Sequence, residues 1–502
     1  MIKAAAVFSD NMVLQRNKNV VVWGESDESG TVAAEIAGFR SEAGITDGKW
    51  SVTFPPMQAG GPYEMVLSLN GREFARFRNV MIGEVWLCGG QSNMELELRN
   101  AAGGKEELET LSADQPIRFY YTNKVGTVED AVEAEKNCGW GVCDPEGSKA
   151  WSAVGYFFAK KLARELGVTV GLIGCNWGGT SATNWIDIDT IKNSAELAPY
   201  LEEYEKNTEG ASLEEQKKIY DEYKEREKDW NSRAQVYYDR GEMLSWEELE
   251  KILGKNPWPG PRNYYNPFSP AKMYEAMLMR VCPYTLAGFL YYQGESDDHL
   301  PKLYYRLFTT LIRVWRERWG DDELPFICVQ LPAFKFADAP DTKNWCLIRE
   351  AQLRAFNTVK NTGIAVILDC GEFNNLHPLD KKTVGERLCL QAEKLVYGKD
   401  VDAFGPLYRS YTVSGGRMTV SLDYAKGMTA KDGRLTSFEL AGEDKKFFPA
   451  EAVIEGESLV LTSAEVAKPV YARYAWGNFP EYSVFGANGI PLAPFRTSMN
   501  DE

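Results

Sequence analysis

One serine follows a strand-like run and two glycines, an arrangement typical of a catalytic nucleophile. The run EVWLC leads into Gly89-Gly90-Gln91-Ser92, and a helix-like ELEL comes soon after. Paired glycines permit a sharp turn, which would place Ser92 at a helix start where backbone N–H groups point outward. The Ser92 amide would then be available to stabilise an oxyanion. The alternative is that Ser92 or Asn93 serves only as an N-cap of the helix.

A serine nucleophile needs a base, and the chain contains only two histidines, His299 and His377. His377 lies in NNLHP, on the predicted loop after GIAVILDC, whereas His299 lies in the acidic run QGESDDH. We therefore expect His377 to be the base and His299 to be an exposed residue at a helix start. So few histidines exclude zinc sites built on HExxH or on several imidazoles. No metal and no organic cofactor is expected.

Two further loops follow strand-like runs and offer hydrogen-bond donors. WGGT at 177–180 comes after VGLIGCN, where paired glycines would let a backbone amide face a ligand. QGESD at 293–297 comes after LAGFLYY and supplies an amide and several carboxylates, or an acidic N-cap. Ligands bind outside the carboxyl ends of the strands in an open parallel sheet, so these loops are expected to meet those of Ser92 and His377. Together they offer the groups needed for acyl transfer.

The segments GQSNM, WGGT, YQGES and LHP resemble the blocks of SGNH-type carbohydrate esterases, specifically the sialate O-acetylesterase family. The resemblance covers nearly the whole chain, because FSDNMVLQ and GKW resemble that family's opening and RYAW and PFRT its close. It implies hydrolysis of an acetyl ester on a sugar, with O-acetylated sialic acid as the expected substrate and no cofactor.

The resemblance also implies a role for individual residues. Ser92 would be the nucleophile and His377 the base. The oxyanion donors would be the Ser92 amide, a glycine amide at Gly178 or Gly179, and the Gln293 side chain. Residues beside the motifs are expected to contact the sugar: Gln91, Asn93, Trp177 and Trp185.

Aromatic rings near the motifs could stack on a sugar, although a place in the core is an equally good interpretation for each. Besides the two tryptophans named above, the candidates are Trp258 and Tyr264. The carboxylate of sialic acid would favour a cationic contact, although a net charge of −16 argues mildly against a strongly acidic substrate. The candidate cations are Arg99, Lys124, Arg262 and Lys272.

The sequence leaves open which carboxylate, if any, would orient the histidine. The family usually carries an aspartate two or three residues before the histidine, where this chain has Asn374 and Asn375. Glu295 is the preferred substitute, because related carbohydrate acetylesterases can draw a carboxylate from the corresponding block. Asp369 and Glu372 are nearer in sequence, and a Ser-His dyad without a carboxylate is the remaining alternative.

Three regions of the chain differ in pattern. Residues 1–81 contain short runs in which apolar and polar residues alternate, separated by turn residues, and this predicts an N-terminal β-sandwich-like domain. Residues 82–400 alternate strand-like and helical runs, which predicts a catalytic α/β domain with an SGNH-like parallel sheet flanked by helices. Alternation returns over 401–502, with a hairpin turn at Gly415-Gly416, and predicts a C-terminal β domain.

Two helical features stand out in the α/β region. Apolar residues from Trp151 to Leu166 recur at helical spacing, which predicts a helix packed on the sheet. A very charged helical stretch at about 194–253 precedes the segment NPWPGPRNYYNPFSP. This insertion is interpreted either as a solvated decoration or as a lid.

Composition limits the class of protein further. The chain has 502 residues, 44% hydrophobic and 25% charged, which is typical of a folded protein of several domains. The net charge of −16 would repel nucleic acid and acidic lipid surfaces, so neither nucleic acid nor membrane is an expected partner. Nine cysteines without a CxxC pair favour buried free thiols. No signal peptide is visible at MIKAAAVFSDN, which predicts a cytoplasmic location, or secretion if a leader has been removed.

Two alternative functions remain compatible with the sequence, which does not predict the oligomeric state. Similar motif blocks serve esterases that deacetylate plant oligosaccharides such as xylan. A carbohydrate-binding protein on a decayed esterase scaffold would explain the missing aspartate, although Ser92, Gln293 and His377 are all retained.

Overall fold

A computed structural model describes residues 2–242, 244 and 246–501. Its backbone contacts divide the chain into two compact units. The first contains the residues up to 122, 137–182 and those from 281 onward, and the second contains 123–136 and 183–280. The α-helices, in chain order, are α1 (Ser92–Glu95), α2 (Gly104–Glu109), α3 (Val128–Ala134), α4 (Ala153–Leu166), α5 (Ile188–Lys192), α6 (Glu202–Thr208), α7 (Leu213–Asp239), α8 (Trp246–Leu253), α9 (Met279–Val281), α10 (Tyr304–Trp319), α11 (Asn344–Thr358) and α12 (Lys381–Leu395).

The N-terminal region consists of short strands, as its alternating pattern predicts. They are β1 (Ile2–Ala4), β2 (Val13–Gln15), β3 (Val20–Ser26), β4 (Thr31–Ile36), β5 (Phe39–Gly44), β6 (Lys49–Phe54), β7 (Gly60–Leu69) and the long β8 (Arg72–Gly90). β1, β3 and β6 form one antiparallel sheet, while β5, β4 and β7 pair in turn onto β8. β8 passes from this region into the central sheet, so the predicted boundary between residues 81 and 82 falls inside one continuous strand.

The central sheet contains β9 (Ile117–Tyr121), β10 (Trp140–Val142), β11 (Val170–Asn176), β12 (Gly288–Tyr292), β13 (Phe326–Val329) and β14 (Thr362–Ala365). Its order is β10-β9-β11-β8-β12-β13-β14, and all neighbours are parallel except β10 with β9. β11 to β14 are buried along their whole length, which explains their uninterrupted apolar sequences. The predicted parallel sheet is therefore present, and the carboxyl ends of its strands share one edge.

Helices cover both faces of this sheet. Trp86 of β8 packs on Phe158 of α4, with ring centroids 5.2 Å apart. Gly89 points to the opposite face, since a Cβ there would meet the Trp315 ring of α10. α4 confirms the helix predicted from the apolar spacing, and the Ser152 hydroxyl caps its start by accepting from the Gly155 amide at 3.0 Å.

The C-terminal region is again built of strands. They are β15 (Leu407–Ser414), β16 (Arg417–Asp423), β17 (Thr429–Ala430), β18 (Phe438–Ala441), β19 (Phe447–Pro449), β20 (Glu451–Glu455), β21 (Ser458–Thr462), β22 (Tyr471–Tyr474), β23 (Val484–Phe485) and β24 (Phe495–Arg496). Gly415-Gly416 joins β15 to β16 as the predicted two-residue turn. The alternating apolar residues of these strands meet in a core of their own, which includes Leu422, Leu440 and Leu461.

The second unit contains the charged insertion, which is helical as predicted. Ser212 and Glu215 form a capping box at the start of α7, and Trp230, Ala234 and Leu249 form a small core between α7 and α8. Among the described residues, no helix is both long and apolar enough to span a membrane. All nine cysteines are free thiols, and eight of them are buried, as expected from their spacing.

Candidate active site

Ser92 lies at the carboxyl end of β8, in the middle of the parallel sheet. Gly90 ends the strand with φ at +134°, and a Cβ at this position would overlap the carbonyl oxygen of Tyr292, so only glycine fits. Gln91 then precedes the first residue of α1, which is Ser92. The predicted turn therefore forms, and it leaves the serine half-buried at a helix start.

His377 approaches Ser92 from the loop after β14. Its Nε2 lies 2.8 Å from Ser92 Oγ, a hydrogen-bond distance. Asn375 holds this loop by accepting from the His377 amide at 3.0 Å, while its own amide group donates to Glu372 at 2.8 Å. Glu372 also accepts from the Leu379 amide at 2.7 Å. The two side chains that the sequence singled out as nucleophile and base are therefore in direct contact.

The environment of His377 favours the neutral imidazole. Burial lowers the pKa of His377 below its ordinary value of 6.5, the positive charge of Lys381 lowers it further, and the negative charge of Glu95 opposes both. A neutral imidazole can accept the proton of Ser92, whereas an imidazolium cannot.

This lowered pKa predicts the acid limb of the pH profile. Protonation of His377 removes the base, so kcat/KM should rise with pH as the imidazole loses its proton and level off above that point. Because the pKa lies below 6.5, half-maximal activity on an uncharged acetyl ester is expected below pH 6.5. Initial rates between about pH 4 and pH 8 measure this. A midpoint clearly above pH 6.5 would contradict the role given to the buried imidazole.

None of the three carboxylates considered from the sequence contacts the His377 ring. Asp369 forms a two-point ion pair with Arg387, with distances of 2.5 and 2.7 Å. Glu372 binds Asn375 and the Leu379 amide, as described above. The preferred candidate, Glu295, accepts a hydrogen bond from Asn93 at 2.6 Å instead. Among the described residues, no carboxylate bonds to Nδ1 of His377, so the geometry corresponds to the Ser-His dyad left open by the sequence.

Asn93 connects the serine turn to the histidine loop. Its side-chain Nδ2 donates to Glu295 at 2.6 Å and to the carbonyl of Leu376, the residue before His377, at 3.0 Å. Its Oδ1 accepts from Lys381 at 2.6 Å. Asn93 and Lys381 are each 0% exposed. The structure therefore corrects the prediction of a substrate contact at Asn93, which is enclosed by protein.

Gln91 also differs from its predicted role as a substrate contact. Its side chain is 2% exposed, and its Oε1 accepts from the amides of Gly294 at 3.4 Å and Ser296 at 3.2 Å. Gln91 therefore ties the serine turn to the loop after β12. Trp185 is fully buried within the second unit, and Trp177 is half-buried.

The amide of Gln293 differs from its predicted role as an oxyanion donor. Its Nε2 donates to Asp297 at 2.6 Å and to the Thr180 carbonyl at 3.2 Å, while Tyr304 donates to its Oε1 at 2.9 Å. Both amide hydrogens are used, and the side chain is 0% exposed. Gln293 thus joins its own loop to the loop after β11 and to the start of α10, and it has no hydrogen left for a substrate.

The backbone amides near Ser92 differ in availability. Gly178 donates to the Glu95 carboxylate at 2.5 Å and packs so closely on Ser92 that a Cβ would lie 3.2 Å from the serine Cβ. Within the described part of the chain, no acceptor is seen for the amides of Ser92 or Gly179. These two amides are the donors that a developing oxyanion could use.

The remaining candidates of the sequence analysis have the following surroundings. His299 is exposed, as expected, with its Nδ1 3.1 Å from the Ser296 carbonyl. Arg99 pairs with Glu97 on the surface. Lys124, Arg262, Lys272, Trp258 and Tyr264 belong to the second unit, where the Lys272 ammonium lies 3.7 Å from the centre of the Tyr264 ring.

Sequence reasoning missed Glu95 and Lys381. Glu95 follows Ser92 by one helical turn, and nothing in the run ELEL distinguishes it from a surface glutamate. Lys381 belongs to the pair KK at the start of a predicted helix, where lysines are usually exposed to solvent. In the described chain, no cluster of three or more His, Cys, Asp or Glu side chains could hold a metal ion.

Comparison with known proteins points to an enzyme that hydrolyses esters of sugars. Residues 258–388, which contain His377, match the family described as carbohydrate esterase, sialic acid-specific acetylesterase. The sialate O-acetylesterases of Homo sapiens and Mus musculus are both 27% identical to this chain; the matches cover 99% of it and 93% and 94% of those proteins. A carbohydrate acetylesterase of Xanthomonas citri superposes with a TM-score of 0.79 at 27% identity, over 99% of this chain and 100% of its own.

The protein is therefore a carboxylic ester hydrolase of the carbohydrate esterase class. The resemblance to the sialate O-acetylesterase family, predicted from its motifs, is confirmed.

Proposed function

We propose that this protein removes O-acetyl groups from O-acetylated sialic acid through an acetyl-enzyme formed on Ser92. The observation that supports the serine mechanism is the 2.8 Å hydrogen bond between Ser92 Oγ and His377 Nε2. The sialic acid substrate is supported by the matching family and by the curated relatives. The order of parallel strands, with Ser92 after the central β8, supports an SGNH-like catalytic fold.

The reaction would proceed in two steps. His377 Nε2 takes the proton of Ser92 as the Oγ attacks the acetyl carbonyl carbon, and the imidazolium then gives that proton to the departing sugar oxygen. Water, deprotonated by the same imidazole, attacks the acetyl-serine; the bond to Ser92 Oγ breaks, the imidazolium returns its proton to that oxygen, and acetate is released. Each step passes through a tetrahedral oxyanion, for which the amides of Ser92 and Gly179 are the proposed donors.

His377 acts in this proposal without a carboxylate bonded to its ring. Its loop is held from both sides by Asn93, which binds the Leu376 carbonyl, and by Asn375, which binds the His377 amide. These bonds fix the backbone that carries the imidazole, whereas a triad aspartate orients the ring directly through Nδ1. Glu95 would serve to fix Gly178 against the serine.

The substrate is tested by acetate release from O-acetylated sialic acid and from acetylated xylo-oligosaccharides, assayed in parallel. We expect the higher kcat/KM for sialic acid, with the Ser92→Ala variant as the background. A clear preference for the xylo-oligosaccharide would contradict the proposed substrate while leaving the esterase class intact. Saturable sugar binding without acetate release from any acetylated sugar would instead favour the decayed binding protein.

A further inference from the structure

We propose that Lys381, Asn93 and Glu295 form a buried positioning unit that fixes His377 relative to Ser92 and supplies a positive charge near the imidazole. The inference rests on the proposed roles of Ser92 and His377. Lys381 is the residue on which this unit depends. It is the first residue of α12, and it is fully buried.

Asn93 uses its amide in full and in one orientation. Both Nδ2 hydrogens are bonded, one to Glu295 and one to the Leu376 carbonyl, while Oδ1 faces the Lys381 ammonium. A flipped amide would turn its hydrogens toward an ammonium that can only donate, so Lys381 selects the orientation that holds the histidine loop. The bond to the Leu376 carbonyl therefore depends on a lysine that is fully buried and binds Asn93.

Burying an ammonium group costs desolvation free energy, which destabilises the fold unless a nearby anion compensates it. Burial lowers the pKa of Lys381 to about 8, and the nearby Glu295 carboxylate opposes this most strongly. Burial likewise raises the pKa of Glu295, while its bond to Asn93 and the charge of Lys381 oppose that rise. The charges of Lys381 and Glu295 therefore stabilise each other, and Asn93 is hydrogen-bonded to both side chains. The second Glu295 oxygen, Oε2, has no hydrogen-bond partner in the described chain.

The titratable groups around this unit come from several elements, and one of them, the Cys370 thiol, is uncharged at neutral pH because burial raises its pKa. The groups that raise the pKa of Lys381 are Glu295, Cys370, Glu372 and Asp380. Asp297 acts on Glu295 as a like charge. The charged groups acting on His377 are Lys381 and Glu95, and they act in opposite directions. A cation that is retained at neutral pH disfavours the imidazolium, so Lys381 helps to keep the base unprotonated.

The test is a direct titration of His377 in variants of Lys381. Because the chain has only two histidines, histidine-labelled protein shows two imidazole signals by NMR, and His299→Asn assigns them. In Lys381→Gln, which keeps a hydrogen-bond donor for Asn93 but removes the charge, the pKa of His377 is expected to rise. The acid limb of kcat/KM should move to higher pH by the same amount. Lys382→Met, at the exposed neighbouring lysine, is the matched control and should leave both unchanged.

Two further variants separate charge from packing. Lys381→Met removes the charge and the donor together and should shift the titration in the same direction with an additional loss of kcat. Glu295→Gln removes the anion and keeps a neutral acceptor for Asn93. With the lysine now the only charge in the unit, the imidazole should stay unprotonated to at least as low a pH as in the native protein.

An unchanged His377 titration in folded Lys381→Gln would overturn the proposal, even if the melting temperature fell, because a purely structural lysine alters stability without moving that titration. If Lys381→Gln does not fold, the same comparison is made between Lys381→Arg, expected to titrate like the native protein, and Lys381→Met. The NMR titration needs no catalysis. It therefore remains decisive if Ser92→Ala retains activity and the proposed function fails.

Discussion

Replacing Ser92 by alanine is expected to lower kcat/KM for acetate release by about 10⁴-fold or more, because no acetyl-enzyme can then form. The hydroxyl is the atom that His377 contacts, so its removal takes away the nucleophile while leaving the imidazole in place. Initial rates of acetate release from O-acetylated sialic acid measure the loss. The melting temperature should change little, since the serine is only half-buried.

The matched control for this variant is Ser232→Ala. Ser232 is an exposed serine of α7 whose hydroxyl donates to the Lys228 carbonyl at 2.8 Å. This substitution should leave kcat/KM unchanged. An organophosphonate probe should add its mass to the peptide that contains Ser92 in the native protein and not in Ser92→Ala. Full activity of Ser92→Ala would exclude the proposed serine mechanism.

Replacing His377 by asparagine is expected to lower kcat/KM by about 10³-fold or more, because the serine then has no base and the sugar oxygen no acid. The pH profile of the residual activity should also lack the acid limb that protonation of the imidazole causes in the native protein. Rates across that pH range, compared with the native protein, measure both effects.

The chain offers a close control for the histidine, since it contains one other. His299→Asn changes an exposed ring whose Nδ1 lies near the Ser296 carbonyl, and it should retain native activity and the native acid limb. The roles of the two histidines would have to be exchanged if His299→Asn were the inactive variant. Native activity in both variants would mean that no imidazole acts as the base.

Much of the architecture can be predicted from local patterns. Alternation predicts the strands at both ends, and uninterrupted apolar runs predict the central parallel strands, because a strand buried on both faces has no polar side. The limits of the N-terminal region are less predictable. β8 is paired with β7 in its first half and with β11 and β12 in its second. The partners change close to the predicted boundary at residues 81 and 82, but a single strand runs through it.

The contact between Ser92 and His377 was predictable for a simple reason. Glycines enforce the serine turn locally, and the chain offers only two imidazoles. The roles of the amides and carboxylates were not predictable, because many residues can supply these groups. Gln293 and Glu295 lie in the expected loop, yet Asp297 and Asn93 take up their hydrogen bonds.

The class of this protein follows from its amino-acid sequence, because the motif blocks and the strand patterns are local and the count of two histidines needs no structure. Which polar groups meet depends on the folded chain. Asn93 and Lys381 are separated by 288 positions, and their 2.6 Å contact depends on how α1 and α12 are placed at one edge of the sheet. Hydrogen-bond partners are chosen by differences of less than an ångström. Such differences arise from the packing of the whole unit, and no local pattern of residues encodes them.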